Sequence, residues 1–152
     1  MEEAEAFCAL LQMEMGKERL TASGCGSPVP SALREEIEGL RSLEPYYKLW
    51  GACDGKGVVI LSEDPVDFHP EAKTVNVVAV NRLEDAIRFT SVATQTVGIF
   101  PAQRKVELRE KLAAAGAQRV VALGAALGGG VGIPHDGFFP LHRLVRWVTD
   151  EC

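Results

Sequence analysis

Residues Lys73 to Phe100 leave this chain few folds to choose from. Lys73-Thr-Val-Asn-Val-Val-Ala-Val80 is a short run rich in β-branched residues, and Arg82-Leu-Glu-Asp-Ala-Ile-Arg-Phe89 then sets Leu83, Ala86, Ile87 and Phe89 at near-helical spacing. Thr94-Gln-Thr-Val-Gly-Ile-Phe100 is a second apolar strand, closed by Pro101. Two strands joined by one amphipathic helix predict a βαβ crossover, whose default is a parallel pair with a right-handed connection. The expected fold class is therefore α/β, a mostly parallel sheet flanked by helices.

The flanking segments extend that reading. Gly57-Val-Val-Ile-Leu-Ser62 predicts a further buried strand, and Ala117-Gln-Arg-Val-Val-Ala-Leu123 another. A helix over about Gln103 to Ala115, stopped by Gly116, makes a second βαβ unit from Thr94 to Leu123. At the amino end, Met1 to about Arg19 reads as an amphipathic helix with Ala6, Phe7, Leu10, Leu11 and Met15 on one side. The Gly, Ser and Pro residues of Thr21–Pro30 form a loop, and Ser31 is the expected N-cap of a helix from Ala32 to Leu43. A last helix is expected from about Leu141 to Asp150, with Leu141, Leu144, Val145 and Val148 inward. This gives a helical segment with a Gly/Pro loop over 1–45 and an α/β core over 46–152, a single domain overall.

Composition excludes several classes. With 47% hydrophobic and 24% charged residues the chain is ordinary for a globular protein, and no window approaches the ~20 apolar residues that span a bilayer. A formal net charge of -5 argues against a nucleic-acid surface, and an acidic start unlike a secretory leader makes a cytoplasmic setting the expectation. Cys8, Cys25, Cys53 and Cys152 form no C-x-x-C pair, and turn residues separate His135 from His142, so no metal site is expected.

Chemistry is concentrated in a few places. Cys25 lies in Gly24-Cys-Gly-Ser-Pro28, a loop that would expose its thiol; it is the candidate nucleophile, though without a nearby basic group it would be mostly protonated at pH 7. Gln95 and Thr96 open a core strand, where they serve either a site or a helix cap. The loop Gly124–Pro140 holds six glycines and two prolines. Its spacing fits neither G-x-G-x-x-G nor G-x-x-x-x-G-K-[ST], so a plain connection is favoured over a phosphate cradle. Within it, Pro134-His-Asp-Gly137 is either an Asx-type turn or an anchor in which His135, Asp136 and Gly137 meet substrate or cofactor. Ligands of open parallel sheets gather at strand carboxyl ends, which favours the loops after Val80, Phe100 and Leu123 over Gln95 itself.

From about Val58 to Glu151 the chain resembles the C-terminal part of bacterial acyl-CoA reductases, the fatty-acid reductase family first associated with luminescence. The residues that carry the likeness are Lys73–Val80, Ala93-Thr-Gln-Thr-Val-Gly-Ile99, Leu108-Arg-Glu-Lys-Leu112, Gly116-Ala-Gln-Arg119, Pro134-His-Asp-Gly137 and Leu144-Val-Arg-Trp147. The resemblance implies the C-terminal catalytic portion of the aldehyde dehydrogenase fold. It also implies reduction of activated fatty acyl groups to aldehydes with NADPH through an acyl-cysteine intermediate. Fatty acyl-CoA or an acyl-protein is the implied partner. The family's long cofactor-binding half has no counterpart here, so a fragment of a larger protein is expected. The alternative is a non-catalytic module that binds an acyl-protein or another subunit. Apolar surface on the first helix would promote a homo-oligomer in either case.

Overall fold

The structure, a computed structural model, describes residues 2–17, 26–126, 128, 133–134, 136–146 and 148–151. It is mixed α/β, with small sheets and helices, and divides into two compact units, Met1–Val80 and Asn81–Cys152. No helix among the described residues is long and apolar enough to cross a membrane.

The first unit is built on a strand buried along its whole length. Val58–Ser62 (β2) lies between Lys48–Trp50 (β1), antiparallel to it, and Thr74–Val78 (β3), parallel to it. Because side chains alternate across a strand, β2 serves two cores at once. Val58 and Ile60 join Val29, Cys53 and the Leu33 and Ile37 face of Ser31–Arg41 (α2). Val59 and Leu61 instead meet Cys8, Leu11 and Met15 of Glu2–Gly16 (α1). Lys48 Nζ, 2.6 Å from Glu5 Oε1, adds an ion pair between β1 and α1.

The parallel β2–β3 connection over 63–73 contains no helix. It is held by Asn76, whose side-chain amide donates to Ile60 O at 3.1 Å and Ser62 Oγ at 2.8 Å while its oxygen accepts from Val66 N–H at 3.0 Å. Three bonds to one side chain satisfy polar groups that the sheet would otherwise strand.

The second unit contains the expected βαβ. Thr96–Ile99 (β4) runs into a short 3-10 turn at Ala102–Arg104, then Lys105–Ala114 (α3), then Arg119–Ala122 (β5), which pairs with β4 in parallel from Thr96↔Arg119 to Ile99↔Ala122. Leu108 and Leu112 of α3 are buried with Ile99 and Ala117. Gly116 ends the helical turn at φ +112, in the left-handed region that favours glycine.

Several expectations need correction. The segment Lys73–Phe100 does not form one crossover, since β3 belongs to the three-stranded sheet and β4 to the two-stranded one. Its middle, Leu83–Phe89, is a 3-10 helix whose Leu83 and Ile87 pack with Ile99, Leu108, Leu112 and Ala117. Those apolar groups thus serve the second unit's core. Ser31 is the first residue of α2, and Pro30, which has no side-chain donor or acceptor, stands at the cap. Lys48–Trp50 adds a strand, β1, that the sequence reading does not include. In α1 the inward stripe is Ala4, Cys8, Leu11 and Met15, while Phe7 and Leu10 are exposed. Among the described residues of the carboxyl end only Pro140–Leu144 is helical, as a 3-10 turn, and Leu144, Val145 and Val148 are exposed. Without a surface to bury them, a short segment gains too little to hold an α-helix.

Candidate functional site

Of the candidate residues, Gln95, Thr96, Asp136 and Gly137 are described, whereas Cys25 and His135 lie outside the described residues. The described ones come together. Gln95 Nε2 donates to Asp136 Oδ1 at 2.5 Å across 41 residues of sequence, tying the start of β4 to the turn of the glycine-rich loop. Thr96 is the first residue of β4.

Each partner is presented by a defined turn. Before β4, Ser91 and Thr94 close a tight loop: Ser91 N–H donates to Thr94 Oγ1 at 3.0 Å, Ala93 N–H to Ser91 Oγ at 3.2 Å, and Thr94 N–H to Ser91 O at 2.9 Å. Hydroxyl side chains stabilise such turns by replacing a backbone partner. Across from it, Asp136 sits at φ 51 and Gly137 at φ 76, two consecutive left-handed residues that aspartate tolerates and glycine favours. Beyond the turn, the Arg143 guanidinium stacks 4.2 Å above the Phe138 ring.

This cluster lies at the amino ends of β4 and β5, not at the carboxyl ends that the parallel-sheet rule favours. The carboxyl ends carry exposed Phe100 and Leu123 instead. One contributor, Gln118, went unmarked in the sequence. Its N–H donates to Thr94 O at 3.2 Å and its Nε2 to Val92 O at 3.3 Å. The signal available was its place inside Gly116-Ala-Gln-Arg119, immediately before β5.

The arrangement can orient an amide donor and a carboxylate toward a polar ligand. Among the described residues no three His, Cys, Asp or Glu side chains gather to hold an ion. Nor do the described residues after β5 fit a dinucleotide phosphate. The N–H groups of Ala125 and Gly128 already donate to Ala122 O and Ala125 O, and Arg119 directs its guanidinium at the carbonyls of Ala126 and Gly128. A phosphate cradle needs free N–H groups turned outward.

The described thiols are structural. Cys8 and Cys53 are both buried, and burial pushes both up from the ordinary thiol value, with Glu5 adding to the effect on Cys8 and Glu38 to that on Cys53. Folded values above the unfolded 9.0 mean that their contribution to stability is complete below 9.0 and is lost as pH rises through the folded values. We therefore expect the urea midpoint to fall above about pH 9, and to fall less in a Cys8→Ala/Cys53→Ala variant. Equal slopes in the two proteins would show that other groups govern the alkaline loss.

Comparison with known proteins places this sequence in a family. Residues 47–147, which include both partners of the Gln95–Asp136 bond, match the model described as Acyl-CoA reductase (LuxC). The chain is similar to the long-chain acyl-protein thioester reductase of Vibrio harveyi, 33% identical over 96 residues, which is 62% of this chain and 20% of that protein. It is also similar to that of Aliivibrio fischeri, 34% identical over 95 residues, again 62% of this chain and 20% of the relative. The enzyme of the same name from Photorhabdus luminescens matches over 114 residues, 74% of this chain and 22% of its own length, at 29% identity. The chain thus spans about a fifth of the length of these curated relatives. On the strength of a family match covering most of its length, the chain belongs to the LuxC acyl-CoA reductase family.

Proposed function

We propose that this chain is the acyl-handling C-terminal part of an acyl-CoA reductase that converts activated fatty acyl groups to aldehydes. The observation that carries the reading is the Gln95–Asp136 bond, which joins two of the segments on which the family likeness rests. A fixed amide donor beside a carboxylate is suited to hold a thioester's polar head while its apolar tail lies elsewhere. Fatty acyl-CoA or an acyl-protein is the substrate class, in keeping with the relatives' names. The reading includes the C-terminal catalytic portion of an aldehyde dehydrogenase-like fold, within a larger protein.

NADPH is the hydride source that the family likeness suggests, and the described residues here do not form its cradle. The proposed role concerns the acyl group. As a separate proposal, which does not draw on the Gln95–Asp136 pair, Cys25 is the nucleophile: its thiolate attacks the thioester carbonyl, a new C–S bond forms, the bond to CoA breaks, and CoA leaves as a thiol after taking up a proton. That half-reaction requires no hydride.

Intact-mass measurement after incubation with fatty acyl-CoA of several chain lengths tests it. We expect one acyl adduct with release of free CoA thiol, absent in Cys25→Ser. Binding of acyl-CoA without an adduct would remove Cys25 from the mechanism and favour a non-catalytic acyl-binding module. A folded chain that neither binds nor is acylated would end the proposal.

A further inference from the structure

Three segments that are distant in sequence meet at the amino ends of β4 and β5, and Gln118, on one of them, lies against the other two. Its main chain bonds Thr94 O and its carboxamide bonds Val92 O, so both ends of the residue grip the turn that presents Gln95. The glycine two residues earlier allows this approach. A Cβ at Gly116 would lie 2.6 Å from Val92 N and 2.8 Å from the Ser91 carbonyl carbon, so the two turns pack backbone against backbone. On its other side Gln118 backs the turn that presents Asp136: a Cβ at Gly137 would meet Gln118 Cδ at 3.7 Å and Cγ at 3.8 Å.

We infer that Gln118 is a positioning residue of the proposed acyl site, setting the Gln95–Asp136 pair by holding the 91–95 turn through its donors and supporting the 136–137 turn with its side chain. The inference rests on the proposed function for what the pair does, and on the distances above for how it is held. Its donors go to Val92 O and Thr94 O, so Gln118 acts on Gln95 through the turn that carries it. Side chains that hold a site's polar groups within a fraction of an ångström affect it without touching ligand.

The test uses the whole chain and two readouts. In 1H–15N spectra the Gln95 side-chain amide resonance is expected to move when Asp136→Asn removes its carboxylate. In Gln118→Met, which keeps side-chain volume but removes the donor, that displacement is expected to be lost, while backbone amides of β4 and β5 stay in place. Gln118→Leu serves the same purpose if the methionine variant folds poorly. Persistence of the displacement in a folded variant would overturn the inference.

The second readout is the affinity for fatty acyl-CoA in a double-mutant cycle. Gln118→Met is expected to weaken binding, and Gln118→Met/Asp136→Asn to bind no more weakly than Asp136→Asn alone, because one pair is being disabled twice. Additive losses would show that Gln118 acts independently, and would overturn the inference while leaving the proposed function standing. If the wild-type chain does not bind acyl-CoA, the proposed function falls, and the Gln95 resonance by itself decides whether Gln118 sets the pair.

Discussion

Gly55→Ala is expected to destabilise the first unit by about 2–5 kcal/mol, read as a lowered midpoint in urea unfolding followed by circular dichroism. Two effects combine. Gly55 has φ +87, where an alanine Cβ is strained against its own backbone. The same Cβ would be driven into the Gly26 carbonyl oxygen and would stand 3.0 Å from its carbon and 3.2 Å from the Ser27 carbonyl carbon. Backbone cannot yield as the tip of a flexible side chain can. The 26–27 segment must move away, breaking the Gly26 N–H to Gly55 O bond of 3.2 Å and disturbing Val29, whose N–H donates to Cys53 O at 3.3 Å and whose side chain is buried beneath α2. Gly39→Ala provides the opposite sign. It lies within α2 with nothing within 4 Å of a new Cβ, so the helix gains about 0.5–1 kcal/mol from reduced chain entropy. A Gly55→Ala midpoint equal to that of the wild type would show that the 53–57 turn does not bear on the core.

What could be read in the sequence was local. β2 is legible because Val58-Val-Ile-Leu61 is a continuous apolar run bounded by Gly57, the mark of a strand covered on both faces. The β4–α3–β5 unit is legible for a similar reason: its strands, helix and Gly116 stop follow in order, and the short connections leave no other pairing. The partnership of β3 was not legible. Thr74–Val78 is apolar enough to pair with either neighbour, and the choice depends on which core Leu83 and Ile87 enter. The face of α1 was read in part. Leu11, Met15 and the thiol of Cys8 pack inward as their spacing suggests, whereas Phe7 and Leu10 look like core by type and are exposed, and the small Ala4 takes the remaining place against β2.

The candidate site divides in the same way. Gln95, Asp136 and Gly137 were marked by residue type and turn chemistry, and their contact could not be inferred because it spans 41 residues. The rule that ligands favour strand carboxyl ends directed attention to the other end of the sheet. It presumes an open sheet of several strands, whereas β4 and β5 form a two-stranded one. Gln118 escaped notice because a glutamine before a strand carries no local signature. Its importance comes from Val92, Thr94 and Gly137, which only the fold brings within reach.

Ile60→Ala is expected to cost about 2–5 kcal/mol, among the largest effects of any side-chain truncation in the chain. Ile60 is 0% exposed at the middle of β2, opposite Leu49 on one neighbouring strand and Asn76 on the other. Its side chain shares a cluster with Val29, Leu33, Ile37, Cys53 and Val58, with Tyr47, Val66 and Phe68 packed around them. Groups held by strands and a helix cannot readily close on a void, so both the lost transfer energy and the cavity are felt. Ile60→Val, which removes one methylene, is expected to cost about 0.5–1.5 kcal/mol. Val106→Ala is the matching control: Val106 lies on α3 and is 66% exposed, and such surface changes fall within about 0.5 kcal/mol of neutral. Ile37, also 0% exposed, reports from the opposite wall, and Ile37→Ala combined with Ile60→Ala is expected to deviate from additivity because the two voids share neighbours. Urea unfolding of the wild type and these five variants checks the order. An Ile60→Ala cost no larger than that of Val106→Ala would mean that α2 does not close on β2, and with it would go the account of why Gly55, Val29 and Cys53 are packed where they are.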